Sequence, residues 1–153
     1  MRVAVLIALA AALPIAAGAS TGLARGTATI TTRSAAPNVA VRVEIAPTLA
    51  ERQVGLMNRR SLPERAGMVF LYPEAHRGGF WMKNTLIPLD IAFYDARGTI
   101  LRILTMQPCR RDPCRIYDPN VAYRAALEVN AGSFRRWGVR KGDRISVSAR
   151  PAG

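Results

Sequence analysis

The chain has 153 residues, of which 50% are hydrophobic and 21% are charged, and its formal net charge at pH 7 is +12. This length and hydrophobic content suit one globular domain rather than several. All but two of the 22 basic residues are arginines, and they are scattered through the sequence instead of forming one basic stripe. The scatter argues against nucleic acid as the partner. Two interpretations of the positive charge are left: a solvated surface, or loose attraction to an anionic membrane surface or acidic polymer.

The first 19 residues have the pattern of a secretory signal peptide. Arg2 supplies a short positive segment, residues 3–17 are apolar, and residues 17–19 read Ala-Gly-Ala, which matches a small-residue cleavage site. An uncleaved membrane anchor is the weaker alternative, because the apolar run is shorter than the ~20 residues needed to span a bilayer. We therefore expect an exported protein, periplasmic or extracellular after cleavage of residues 1–19.

The rest of the chain divides into a short leading segment and one domain. Residues 20–37 are rich in Ala, Thr, Ser and Gly, and we interpret them as a flexible N-terminal segment or an edge strand. Residues 38–150 are predicted to form a single β-rich domain. It opens with strict alternation of apolar and polar side chains over residues 39–45, the period of a strand with one buried face.

A short helix and a second strand are predicted next. Thr48 and Glu51 have the spacing of a capping box, in which each side chain hydrogen-bonds the other residue's backbone, and this predicts a helix over residues 49–58. We interpret Glu51 as a cap residue rather than a catalytic one. Residues 67–72 predict a strand that ends before Pro73, and His76, the only histidine, is interpreted as a solvated loop residue.

Residues 79–100 are the most legible part of the sequence. An aromatic strand at residues 80–82 ends in a polar corner, and residues 89–94 alternate as a strand with one buried face. Residues 95–98, Asp-Ala-Arg-Gly, supply the turn to a following apolar strand at residues 100–104. The stretch therefore predicts a hairpin preceded by a strand and a corner.

Both cysteines lie in a long proline-containing loop that follows this hairpin. Cys109 and Cys114 are close in sequence in a chain that we expect to be exported, which favours a disulfide within the loop. A redox role is the weaker alternative because the spacing is not C-x-x-C. No metal site is expected, since one histidine and these cysteines give no recognised ligand spacing.

The C-terminal part completes the predicted fold. Residues 122–129 predict a strand, Ser133 is expected to cap one helical turn, and residues 145–149 alternate as a last strand. The elements amount to six or seven short strands with two short helices and no βαβ rhythm. This pattern predicts a mostly β, single-domain protein built as a small antiparallel β-barrel or sandwich.

Several motifs follow one another in order along the chain. The chain reads VRVEIAPTLAERQVGLMNRRSL at residues 41–62, GMVF at 67–70, FWMKNTLIPLDIAF at 80–93, LEVNAG at 127–132 and GVRKGDRI at 138–145. Together these motifs resemble the family called domain of unknown function 192. The resemblance covers about residues 39–147. It implies a compact β-rich domain, and because the family carries no established activity it implies no catalytic residue.

Polar and aromatic side chains at the predicted strand ends form the candidate site. Lys83 and Asp90 could be a site pair with shifted pKa values, or an ion pair that fixes the corner. The whole set, which could equally be structural corner residues, is Trp81, Lys83, Asn84, Thr85, Asp90, Glu128 and Asn130.

We expect a non-catalytic exported binding or accessory module of the cell envelope, needing no cofactor. Its partner would be an envelope component, an anionic polymer or another exported protein. The alternative is a hydrolase or transferase that uses a polar corner of Lys83, Asp90 and Glu128 for acid–base chemistry. The chain has no nucleophile elbow, phosphate loop or metal motif, which favours binding over catalysis.

Overall fold

A computed structural model describes residues 22–34 and 37–150. The predicted signal peptide lies outside the described residues. Within them the chain forms nine strands and two short helices. In chain order these are β1 (Ala24–Thr31), β2 (Val39–Ala46), α1 (Leu49–Val54), β3 (Ala66–His76), β4 (Phe80–Trp81), β5 (Leu89–Tyr94), β6 (Ile100–Met106), β7 (Ile116–Tyr117), β8 (Tyr123–Asn130), α2 (Ser133–Arg136) and β9 (Arg144–Ala149).

Seven strands form one mixed sheet in the order β6-β5-β8-β3-β2-β1-β9, and β4 pairs with β7 in a second, two-stranded sheet. The pair β2–β3 is parallel, and the other pairs of the large sheet are antiparallel. The helix α1 belongs to the connection between the two parallel strands, because parallel neighbours need a crossover. The prediction of a mostly β single domain with two short helices is confirmed.

The large sheet curls until its two edges meet at one end. Thr99 and Arg144 form an isolated antiparallel bridge, and the amide of Ile145 donates to the carbonyl of Gly98 at 2.8 Å. Gly98 has a φ of +80°, and a Cβ there would lie 2.2 Å from the carbonyl oxygen of Ile145, so this close approach requires glycine. The result is an incompletely closed barrel.

Curling gives the sheet an inner and an outer core. The inner core lies inside the curl and contains Val41, Val43, Leu127 and Val129. The outer core lies on the opposite face of β3, β5 and β8, beneath a cover made of α1, the segment after it, β4 and β7. All six residues of β5 are therefore buried, and the prediction of a strand with only one buried face is wrong.

The capping box is confirmed, since the Thr48 side chain accepts from the Glu51 amide and Glu51 accepts from the Thr48 amide. The helix that follows ends at Val54, four residues earlier than predicted. Ser133 is the first residue of α2 instead of its cap, because Gly132 occupies the N-cap position.

Two strand assignments are corrected by the topology. Ala24–Thr31 is paired on both sides, with β2 and β9, so it is neither an edge strand nor a flexible segment. Strand β3 continues through Pro73 to His76, with a register shift that lets the proline sit where no ladder hydrogen bond is needed.

Neither helix in the described part of the chain is long and apolar enough to cross a lipid bilayer.

Candidate functional site

A cavity of about 350 Å³ lies between the outer face of β3 and β8 and the cover formed by α1 and β4. Aromatic and aliphatic side chains form most of its wall, and a few polar groups converge on it. Its lining residues are Leu49, Arg52, Gln53, Val54, Gly55, Leu56, Met57, Phe70, Tyr72, His76, Gly79, Phe80, Trp81, Thr85 and Glu128.

Glu128 is the least exposed of the polar residues that line this cavity. It lies opposite Met68 and Ile91 in the strand register, and both of these belong to the outer core, so its side chain leaves the outer face of β8. The residue is 4% exposed. Within residues 22–34 and 37–150 its carboxyl makes neither a hydrogen bond nor an ion pair.

Burial without a partner determines the charge of Glu128. Because a carboxylate loses its hydration in this environment, burial raises the pKa of Glu128 to about 8. At neutral pH the group is therefore mainly a neutral carboxyl, with one proton to donate and one carbonyl oxygen to accept. Raised carboxyl pKa values in a cleft are typical of functional sites.

The aromatic wall is held together by ring contacts. The Tyr72 and His76 rings stack with centroids 4.3 Å apart at an interplanar angle of 10°, and Tyr123 meets both edge-on at 5.4 Å. The Arg52 guanidinium lies 4.6 Å from the Tyr72 ring centroid and donates to the Leu71 carbonyl at 2.8 Å. Burial raises the pKa of Tyr72, and the neighbouring Tyr123 hydroxyl and Arg52 guanidinium partly offset that rise.

The mouth of the cavity is apolar and exposed. Leu49, Val54 and Trp81 are 65%, 62% and 50% exposed, and all three line the cavity. Only Leu86 and Ile116 are comparably exposed large hydrophobic residues in the described part of the chain. A concentration of exposed apolar side chains around a cleft marks a place where another molecule docks.

The predicted polar corner is divided between different parts of the molecule. Lys83 forms an ion pair with Asp112 at 3.0 Å, with both side chains partly in solvent. Asp90 lies opposite Val129 and so faces the inner core, where it accepts from Thr105 Oγ1 at 2.7 Å and from the Gly132 amide at 2.8 Å. The proposed pairing of Lys83 with Asp90 is therefore wrong, and Asp90 and Glu128 lie on opposite faces of the sheet.

The other predicted residues divide between architecture and the cavity. Asn84 has a positive φ of 57°, and its carbonyl accepts from the Asn58 amide at 2.8 Å, so it shapes the corner. Asn130 donates through Nδ2 to the Leu62 carbonyl at 2.7 Å. Of the seven candidates the structure brings Trp81, Thr85 and Glu128 to the cavity.

The sequence interpretation missed several polar and aromatic groups of this site, among them Arg52, Tyr72 and His76. His76 is half-buried in the ring stack, so its interpretation as a solvated loop residue is wrong. The predicted strand ended before Pro73, whereas β3 continues to His76. A strand extended past Pro73 would have placed Tyr72 and His76 on one segment under the predicted helix.

The disulfide between Cys109 and Cys114 is confirmed, with an S–S distance of 2.06 Å. Asp112 lies close enough to both sulfurs for the three residues to resemble a metal-ligand group. Disulfide sulfur carries no thiolate charge, so this trio is not a metal-ligand set while the bond is intact.

The fold and the cavity together define a class of small mixed-β domains with a covered aromatic cleft. The chain belongs to the family described as "Uncharacterized ACR" (DUF192), whose model matches residues 29–147. No curated protein matches the chain in sequence.

Two crystal structures are among those similar to it. One is of a protein proposed to be a transcription regulator from Sinorhizobium meliloti 1021, with a TM-score of 0.77 and 32% identity over 84% of this chain and 98% of that one. The other is of a protein of unknown function from Novosphingobium aromaticivorans DSM 12444, with a TM-score of 0.75 and 32% identity over 88% and 94% of the two chains. The family membership confirms the resemblance drawn from the sequence motifs.

Proposed function

We propose that the protein is a non-catalytic binding module of the cell envelope and that it takes a neutral sugar ring with a carbonyl acceptor into the cavity beneath α1. One observation carries the proposal: the buried carboxyl of Glu128 has no partner in the described part of the chain and lines an aromatic cavity. The Glu128 carboxyl lines the cavity and is free to hydrogen-bond a ligand that enters it. One hydrogen bond of this kind contributes roughly 0.5–1.5 kcal/mol to the free energy of binding.

The protonation state of Glu128 selects the ligand chemistry. A neutral carboxyl donates to a carbonyl or hydroxyl oxygen and accepts from a hydroxyl or amide hydrogen. A cationic ligand is disfavoured because the Arg52 guanidinium lines the same cavity. A ligand carboxylate would need a cation at the depth of Glu128, and Arg52 already donates to the carbonyls of Pro47 and Leu71.

The shape and the wall of the cavity suit a ring. Its volume of about 350 Å³ is within the usual range for small-molecule sites, roughly 300–1,000 Å³. Trp81, which is 50% exposed at the mouth, offers a flat apolar face to the C–H side of a pyranose, and the Tyr72–His76 stack forms part of the wall. An acetamido substituent would place a carbonyl oxygen within the reach of a donor such as Glu128.

The envelope location belongs to the same proposal and has two supports. The first 19 residues have the pattern of a signal peptide, and Cys109 and Cys114 are joined. Disulfides persist in oxidising compartments such as the periplasm and are rare in the cytosol.

Fluorescence of Trp81 gives a direct binding assay. The chain has two tryptophans, so Trp137→Phe leaves Trp81 as the single reporter at the mouth of the cavity. The probe is chitobiose, a disaccharide with acetamido groups, and cellobiose is the matched control without them. Glu128→Gln keeps a donor at this position, whereas Glu128→Leu removes it.

We expect saturable quenching or enhancement by chitobiose that exceeds the response to cellobiose. Glu128→Gln should keep the response, and Glu128→Leu should lose it, about a tenfold or greater weakening for one lost buried hydrogen bond. Equal responses to both sugars, or an unchanged response in Glu128→Leu, would refute this ligand class. Melting temperatures of all variants establish that they are folded.

A second candidate function is retained because one observation favours it. A carboxyl whose pKa is about 8 is suited to act as a general acid near neutral pH, and His76 lines the same cavity. The test is release of p-nitrophenol from p-nitrophenyl N-acetylglucosaminide. Turnover that disappears in Glu128→Gln while chitobiose still binds would identify the protein as a hydrolase instead of a binding module. Lys83 and Asp90 would take no part in that reaction, because neither lines the cavity.

A further inference from the structure

Four arginines that are far apart in the sequence gather at a second site, on the outer face of the sheet at its β1–β2 side. Arg25 on β1, Arg42 on β2, Arg59 after α1 and Arg150 after β9 line a groove of about 300 Å³. Their sequence positions gave no hint of this, and the expectation that the arginines are merely scattered is wrong for this group.

The strand register explains the convergence. Arg25 lies directly opposite Glu44, and Arg42 is two residues from Glu44 along β2, so all three project from the same face of the β1–β2 pair. The intervening Val43 faces the inner core. The backbone amide of Arg150 donates to the carbonyl of Arg25 at 2.8 Å, which brings the last arginine to the same end of the groove.

Among the described residues that line it, the groove has four guanidinium groups and one carboxylate, an excess of positive charge. That carboxylate belongs to Glu44 and is bound in a two-point contact by Arg59, with Nη1 to Oε1 at 3.0 Å. That hydrogen-bonded contact holds the pKa of Glu44 below its usual value, and Arg25 adds to the effect. The guanidinium groups of Arg25, Arg42 and Arg150 make no ion pair or hydrogen bond in the described part of the chain.

We propose that this groove is a binding site for a phosphate group. Three unpaired guanidinium groups around one concave surface repel each other, and an anion placed between them removes that repulsion. Arginine donates in a planar fork that matches the oxygens of phosphate, and a phosphate monoester offers several oxygens and nearly two negative charges. The site is independent of the cavity that contains Glu128.

The same chemistry could come from a free phosphate ester or from a lipid headgroup. The first probe is sn-glycerol 3-phosphate, followed by NMR through the Nε–Hε signals of the arginine side chains at constant ionic strength. The second is vesicles of phosphatidylglycerol, followed by cosedimentation. Arg42→Gln, Arg150→Gln and their double variant test the groove, and Arg42→Lys keeps the charge without the fork.

Arg102 provides the matched control. It is exposed on β6, opposite Phe93 in the register and away from the groove, and Arg102→Gln changes the net charge by the same amount as Arg42→Gln. General attraction of an anion to a basic protein depends on net charge, so it would weaken equally in both variants. If the groove is specific, Arg102→Gln leaves the affinity unchanged.

We expect saturable shifts of the Arg25, Arg42 and Arg150 signals, a loss of affinity of about tenfold or more in the double variant, and a smaller loss in Arg42→Lys. Binding of glycerol phosphate without vesicle binding identifies a free ester as the source. Vesicle binding that the double variant loses identifies a lipid. Linear shifts spread over all arginines, or equal losses in Arg102→Gln and Arg42→Gln, would overturn the site.

Discussion

Replacing Glu128 by glutamine should make the protein more stable at alkaline pH and leave it nearly unchanged at acidic pH. Glutamine has almost the same shape and stays neutral, so Glu128→Gln removes the titration with little change in packing. Burial raises the pKa of Glu128 from 4.5 to about 8 in the folded protein. The folded state therefore holds a proton that the unfolded state has released between these two pH values.

The sign and size follow from proton linkage. The raised pKa of Glu128 contributes favourably to the free energy of unfolding. This contribution is complete below pH 4.5 and is lost as the pH rises through about 8. Over that window the free energy of unfolding should fall by about 1.4 kcal/mol per pH unit, about 5 kcal/mol in total. Relaxation of the site or entry of water would reduce the total, so this magnitude is an upper bound.

Urea unfolding of the parent protein and Glu128→Gln at several pH values from 4.5 to 8.5 measures this effect. The difference between the two proteins should grow steadily in favour of the variant. Glu44→Gln is the control with the opposite sign, because Arg59 lowers the pKa of Glu44. That variant should be less stable at pH 7 by an amount that stays constant down to about pH 4.5, and its deficit should shrink only when the titrations are extended to lower pH, through the folded pKa of Glu44. A Glu128→Gln difference that stays constant with pH would refute the account of a buried, unpaired carboxyl.

Three further predictions concern stability. Thr48→Ala should lower the free energy of unfolding by about 1 kcal/mol in urea titrations because it removes the N-cap hydrogen bond, and an unchanged midpoint would contradict the cap. Tyr94→Phe should cost nothing or stabilise by up to about 1 kcal/mol, since the Tyr94 hydroxyl is buried without a partner in the described residues; a large loss would reveal a partner. Replacing Cys109 and Cys114 by serine should cost about 2 kcal/mol, the value for a short closed loop, and a loss near 5 kcal/mol would mean that the bond supports more than its own loop.

Local signals in the sequence predicted most of the elements. The capping box at Thr48, the alternation in β2 and the turn after Tyr94 each depend on residues close together in the chain, and each is present in the structure. The disulfide was predictable for the same reason.

What the sequence could not supply was the pairing of distant strands. Asp90 and Glu128 are both polar residues near strand ends, yet a register of Asp90 with Val129 places them on opposite faces. The outer core and its cover made β5 buried on both faces, which alternation alone cannot reveal. The groove of Arg25, Arg42 and Arg150 arises in the same way, from strands that meet only in the folded sheet.

The most direct test of the central claim is a carbon-13 NMR titration of the Glu128 side-chain carboxyl, with and without saturating chitobiose. The account predicts a pKa near 8 in the free protein, and a higher pKa with chitobiose because the sugar binds the neutral carboxyl. A pKa near 4.5 in the free protein would contradict the buried, unpaired state of Glu128. A pKa that chitobiose leaves unchanged would show that Glu128 is not the group that recognises the sugar.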